Sequence, residues 1–352
     1  MTEMIRVEGV TRLFSRKVDL AERLAVRAGL AKPPATVHAL DGVDLHVDQG
    51  EVVGLVGESG CGKSTLGRIV AGMLPPTTGR VLNQGRDIAA LRGAEARRAR
   101  LATQIIFQDP MSSLNPRKRV AEIIGEAPRV HGIVPRAEVP ARVAELMALV
   151  GLDPSFANRY PHQFSGGQRQ RIGIARALAV GPEFLVCDES IAALDVSIQA
   201  QVINLFMELR QDLGLTLLFI SHDLSVVRHI SDRVVIMYLG RIVEEAPTDA
   251  VFDAPNHPYT QALLAEIPRL DRRQRAFSTV RGEIPSPVNP PPGCHFHPRC
   301  PFAMEICAQA RPKLASIAAG HRSACHLNDP QARQSPRLPS AIEQQSQQQG
   351  PP

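Results

Sequence analysis

Residues 51–65 read EVVGLVGESGCGKST, and no other stretch so narrows what the chain can become. Val52 to Val56 form a short apolar run, the pattern of a strand buried on both faces. Gly57, Glu58, Ser59, Gly60, Cys61, Gly62, Lys63, Ser64 and Thr65 follow, with Gly57, Gly62, Lys63 and Ser64 in the spacing G-x4-G-K-S. The run TLGRIVAGML then takes up a helical pattern. Glycines let a backbone wrap closely, so that its N–H groups and the helix N-terminus point at a phosphate. Lys63 adds a point charge, and the Ser64 hydroxyl suits Mg²⁺. A bare glycine turn is the competing reading, and the order strand, loop, helix argues against it. Cys61 contributes mainly backbone.

A phosphate site of this type needs carboxylates on a neighbouring strand. FLVCDE, from Phe184 to Glu189, supplies an apolar strand with Asp188 and Glu189 at its C-terminal end, where ligands gather in open α/β sheets. Asp188 is expected to support Mg²⁺ and Glu189 to polarise an attacking water. Cys187 reads as a small apolar filler. LTLLFI and RVVIMY are two further strands, and together with the intervening helical stretches they predict a parallel sheet covered by helices. Residues from about 110 to 180 hold no convincing strand and read as an inserted helical subdomain.

At the flanks the reading changes. Residues 15–36 form a basic, alanine-rich segment ending in Pro-Pro, expected to be a short helix and linker. Beyond about Asn256 prolines multiply and a second small module is expected, followed over 328–352 by a Gln-, Ser- and Pro-rich tail expected to be disordered. With 40 basic against 35 acidic residues the net charge is only +5, scattered rather than striped, so nucleic acid is not implied. The N-terminus lacks a signal-peptide pattern, and no stretch approaches the roughly 18 apolar residues of a membrane span. The chain reads as cytosolic, where six cysteines are more readily free thiols or metal ligands than disulfides.

Between the phosphate loop and Asp188 lies QFSGGQRQRIGIARAL, and FISHD spans Phe219 to Asp223. Together these resemble the ATP-binding subunits of ABC transporters. The resemblance implies an α/β P-loop NTPase fold: an ABC-type nucleotide-binding domain over 1–255 with an inserted helical subdomain, and a small Cys-rich C-terminal module over 256–327. It implies ATP and Mg²⁺ as ligands. Ser165, Gly166, Gly167 and Gln168 take the place of the signature motif that addresses the γ-phosphate of a partner subunit. Gln108 takes that of the glutamine loop, His222 that of the switch histidine, Asp195 that of the D-loop aspartate and Phe14 that of the aromatic that stacks on adenine. By residue type alone a lone His222 would be an ordinary surface residue.

QDPMSSLNPR, LDVSIQAQV and NHPYTQALL are similar to the oligopeptide/dipeptide importer branch. That branch implies a second, non-identical ATP-binding subunit, two membrane-spanning permease subunits, a separate substrate-binding protein, and a peripheral place on the cytoplasmic face of the membrane. Where the branch has a proline and a serine after the acidic pair, this chain has Ser190 and Ala192. The change admits a regulatory subunit with weakened ATPase, and a soluble ABC ATPase acting on nucleic acid or the ribosome is the alternative from another class.

Cys294, Cys300, Cys307 and Cys325 lie in the spacing C-x5-C-x6-C-x17-C. Four thiolates in a small module suit zinc or an iron–sulfur cluster, and the spacing alone does not choose. His295, His297 and His326 compete as zinc ligands, and four unligated thiols are the bland reading. The resemblance to peptide importer subunits implies a [4Fe-4S] cluster.

Overall fold

A computed structural model of the chain describes residues 2–16, 27, 30, 34–109, 113–192, 194–266 and 282–338. The expected helix and linker before the second strand fall largely outside these, as do Ala193 and residues 339–352 of the expected tail.

Two long strands, β1 (Glu3–Ser15) and β2 (Thr36–Asp48), pair antiparallel and set Val7 opposite Leu45 and Phe14 opposite Val37. β3 (Val52–Val56) leads into the phosphate loop. β4 (Thr78–Asn83) and β5 (Arg86–Asp87) complete a four-stranded sheet in the order β2-β1-β4-β5. The second sheet takes β6 (Thr103–Ile106), β7 (Phe184–Asp188), β8 (Thr216–Ser221), β9 (Arg233–Tyr238) and β10 (Arg241–Pro247). A hairpin of β11 (Ala315–Ala318) and β12 (His321–Ser323) closes it in the order β11-β12-β10-β9-β3-β8-β7-β6. From β9 to β6 all pairs are parallel.

Successive side chains on a strand point to opposite faces, so a parallel strand covered on both sides must be apolar throughout. That is the reason for the continuous apolar runs. Val52 and Val56 of β3, with Leu185 and Cys187 of β7 and Leu217 and Phe219 of β8, enter one core. Val53 and Leu55, with Phe184, Val186, Leu218 and Ile220, enter the other. The first core also receives the helices Val120–His131, Val139–Leu149 and Gly166–Leu178, which occupy the stretch expected to be mostly helical. The second core lies under the helix Lys63–Val70 and the four-stranded sheet. Both cores meet at β3, and the phosphate loop leaves from that seam.

The Cys-rich segment, expected as a small module, leans on the main body. Phe296 is buried in the main core, with Cys294 and Cys300 packed against it. β12 pairs with β10, Glu245 opposite Arg322, and so extends the main sheet. With few large apolar residues of its own, the segment buries them against the larger body rather than building a core. Ordered chain also runs on to 338: the Leu338 N–H donates to the Ala303 carbonyl, and Met304 bridges to Arg337.

Candidate ATP site

The loop after β3 owes its path to two glycines. A Cβ on Gly57 would lie 2.1 Å from the Met237 carbonyl oxygen, and Gly62 has φ +110°, a backbone that side chains rarely adopt. The path turns Lys63 inward, where it is buried and its Nζ donates to the carbonyls of Gly57 and Glu58 at 2.7 and 3.0 Å. Ser64 Oγ donates to Asp188 Oδ1 at 2.7 Å. Burial pushes the Asp188 carboxyl above its usual range, and the Ser64 hydroxyl pulls the other way. A hydroxyl and a buried carboxylate at hydrogen-bond distance, beside a loop of backbone N–H groups, are the hard oxygen donors that Mg²⁺ prefers.

Glu189 follows at the strand end with φ +46°, a strained conformation for a residue with a side chain. Its N–H donates to the Ile220 carbonyl at 3.0 Å, which holds the turn. One carboxylate oxygen accepts from Gln108 Nε2 at 2.9 Å and lies 3.7 Å from His222 Nδ1. The other stands 3.9 Å from Lys63 Nζ. Three residues distant in sequence therefore meet at one carboxylate. A cleft of about 460 Å³ opens over them, lined among others by Phe14, Ser59, Lys63, Ser64, Gln108 and Glu189. The Phe14 ring is partly exposed, with the Arg12 guanidinium 4.6 Å from its centre. Cys61 is buried and its thiol is pushed up by that burial, so it offers no reactive thiolate.

Ser165 and Gln168 satisfy each other's backbone at the start of their helix: Ser165 Oγ accepts from the Gln168 N–H, and Gln168 Oε1 from the Ser165 N–H. Ser165 and Gly166 are exposed, and residues 165–168 are absent from the walls of the cleft. Gly167 packs on Ile198, since a Cβ there would come within 2.5 Å of it. Asp195 is exposed at the start of the helix Val196–Leu213. Ser190 is buried, and its hydroxyl finds no hydrogen-bond partner among the described residues.

Sequence reading missed three contributors from the C-terminal third. Pro287 lines the cleft, and its carbonyl accepts from the His38 N–H at 2.8 Å. Tyr259, fully buried, accepts through its hydroxyl from the Glu58 N–H at 2.9 Å. Arg299 donates to both carboxylate oxygens of Glu58. A Pro at the first turn of the helix Pro258–Ala265 marks a helix start, yet nothing local says where Tyr259 is aimed.

The four cysteines gather without disulfides. Burial and the neighbouring thiols push Cys294 and Cys300 up to about 12 and Cys325 to about 11, and burial raises Cys307. The Cys294 N–H donates to the Cys307 carbonyl at 2.8 Å. Nδ1 of His295 and of His297 and Nε2 of His326 each lie on a backbone carbonyl. Among the described residues no group of three or more His, Cys, Asp or Glu side chains is arranged to hold a metal ion, so the expected iron–sulfur or zinc site is not found as a formed ligand set. Nor is any helix among them long and apolar enough to cross a membrane.

Residues 40–192 match the family described as ABC transporter, and residues 243–307 match the oligopeptide/dipeptide transporter C-terminal region. The chain is 51% identical over 314 residues to the oligopeptide transport ATP-binding protein AppF of Bacillus subtilis, covering 88% of this chain and 95% of that one. It is 50% identical over 303 residues to OppF of Salmonella typhimurium, described in the same words, covering 85% and 90%. Among solved structures it is similar to cbiO1 of Clostridium perfringens, with a TM-score of 0.59 and 27% identity over 72% of this chain and 92% of that one. A dimeric ATP-binding cassette in a post-hydrolysis state with ADP and Pi matches with a TM-score of 0.58 and 28% identity, covering 70% and 99%.

Proposed function

We propose, from the premise that this chain belongs to the ABC transporter family and carries its oligopeptide/dipeptide transporter C-terminal region, that it is the ATP-hydrolysing subunit of a peptide importer. The observation that carries the chemistry is that Lys63, Ser64, Gln108 and Glu189 line one cleft, with Asp188 on Ser64 and His222 beside Glu189. Lys63 gives up its carbonyl partners to the β- and γ-phosphates, and the loop N–H groups hold them. Ser64, Asp188 and Gln108 are the residues to hold Mg²⁺, which when bound neutralises charge between the two phosphates. Glu189, oriented by Gln108, aligns a water with the γ-phosphate. His222 stabilises the charge that spreads over the phosphoryl oxygens. Phe14 stacks on the adenine.

Ser165, Gly166, Gly167, Gln168 and Asp195 serve a partner's nucleotide rather than this chain's own. The exposure of the helix start at Ser165 and its absence from the cleft support this. A helix N-terminus opened by a serine and two glycines suits an anion. The partner is a second, non-identical ATP-binding subunit, and the pair acts on two permease subunits fed by a substrate-binding protein. The working division is 1–255 for nucleotide binding, with the helical subdomain at about 110–180, and 256–327 for the C-terminal region, with 328–352 beyond it. Coexpressed with two polytopic permeases and a partner ATPase, the chain is expected to copurify with them and to drive ATP-dependent uptake of di- or oligopeptides into vesicles. Cosedimentation with ribosomes or DNA in place of that would assign the ATP clamp to nucleic acid.

For the four cysteines the finer reading is a [4Fe-4S] cluster. Four unbridged thiols fit it in donor chemistry, and neighbouring thiols help to raise Cys294, Cys300 and Cys325. Protein purified without oxygen is expected to be brown, to absorb at roughly 400 nm and to contain iron. Colourless, iron-free protein would remove the cluster.

A further inference from the structure

We propose that Arg299, in the cysteine segment, is a positioning residue for ATP binding that acts through Glu58 of the phosphate loop. The inference rests on the ATPase reading above. Arg299 is buried and 241 residues from Glu58, yet its two terminal nitrogens donate to the two Glu58 carboxylate oxygens at 2.7 and 2.9 Å. One of them also reaches the Tyr238 hydroxyl at 3.3 Å. A planar fork on a carboxylate fixes orientation as well as distance.

Glu58 is held on three sides. Its carboxylate is on Arg299, its N–H on the Tyr259 hydroxyl, and its carbonyl on Lys63 Nζ at 3.0 Å. The phosphate-binding lysine therefore rests on the same residue that the cysteine segment grips. Arg299 closes a 3-10 turn, His297–Arg299, between Cys294 and Cys300. Phe296, at the head of that turn, packs edge-on against Tyr238, with ring centres 5.3 Å apart, and lies equally close to Tyr259. Cysteine turn, aromatic cluster and loop thus form one connected body.

The electrostatics give this body a role beyond packing. Glu58 puts a negative charge in a loop that must receive the phosphates of ATP, and Arg299, which is not among the residues lining the cleft, is its counter-ion. Without Arg299 the carboxylate is unpaired, and its repulsion falls on the incoming phosphates. The two charges are then predicted to be separable by mutation. In the assembled transporter Arg299→Met is expected to raise the KM for ATP and weaken ATP binding about tenfold with kcat little changed, a loss of the size found for a charged hydrogen-bonded partner. Adding Glu58→Gln to Arg299→Met removes the stranded charge and is expected to restore affinity to within about threefold, although the thermal midpoint stays lowered.

A role in stability alone predicts the opposite pattern, with the double variant no better in affinity than Arg299→Met, and that result would overturn the proposal. If Arg299→Met does not fold, Arg299→Gln, which keeps a hydrogen-bond donor and removes the charge, is expected to weaken binding about tenfold and to be rescued by Glu58→Gln in the same way. Wild-type affinity in whichever of the two variants folds would equally overturn it. If the unaltered complex bound no ATP, the ATPase reading itself would fall, and this inference with it.

Discussion

Glu189→Gln is expected to lower ATP turnover in the assembled transporter by about a thousandfold while leaving ATP binding within about threefold, since general base assistance is worth about 10² to 10⁴ and the amide keeps the shape. The carboxylate is where Gln108, His222 and Lys63 converge. The strained backbone at φ +46° fixes its direction, and the replacement side chain inherits that direction. What the amide loses is the charge that orients and deprotonates water. Phosphate release and equilibrium nucleotide binding, measured on the same preparation, separate the two effects. Unchanged transport in Glu189→Gln would place hydrolysis in the partner's site and make this chain the regulatory member of the pair. Ser190, with its unpartnered hydroxyl beside Glu189, is where such a difference would originate.

Gly57→Ala is expected to abolish detectable ATP binding and to destabilise the fold by about 3 kcal/mol, the upper end of the range for overpacking a rigid interior. The added methyl would meet the Met237 carbonyl oxygen at 2.1 Å and Cys61 Sγ at 2.7 Å. The thiol belongs to the loop and can move with it. The carbonyl is part of β9, the strand next to β3 in the sheet, and cannot yield without breaking their register. The loop must therefore move off β9 and take with it the carbonyls that hold Lys63. Denaturant unfolding and nucleotide titration read the two losses. A Gly57→Ala protein that binds ATP normally would show the loop to be far more compliant than this packing allows.

The parallel strands and the phosphate loop were legible in the sequence because their cause is local. A strand covered on both faces must be apolar at every position, and a backbone wrapped on phosphate needs glycine where a Cβ would collide. Asp188 and Glu189 were legible for the same reason, standing at the end of such a strand. The antiparallel pair of β1 and β2 was not called, because half-buried alternation interrupted by register shifts lacks that continuous signal. The β11–β12 hairpin was missed because its strands are only four and three residues long, and their place is set by an edge of β10 far away in sequence. Tyr259, Pro287 and Arg299 share this difficulty. Each serves the ATP site through a contact spanning roughly 200 residues or more, which no spacing rule anticipates. The packing of Cys294 and Cys300 against the main core was not legible in their spacing.

The grip on Glu58 also has a direction in time. A ribosome makes the phosphate loop early, as residues 57–65, but the hydroxyl and the guanidinium that fasten it come only with residues 259 and 299. A nascent chain therefore carries a recognisable nucleotide loop long before it carries a braced one. The same holds for a chain clipped ahead of its last hundred residues, which keeps Lys63, Ser64, Asp188 and Glu189 and loses both braces. The loop and the groups that brace it thus lie at opposite ends of synthesis, and only the nearly finished chain holds both.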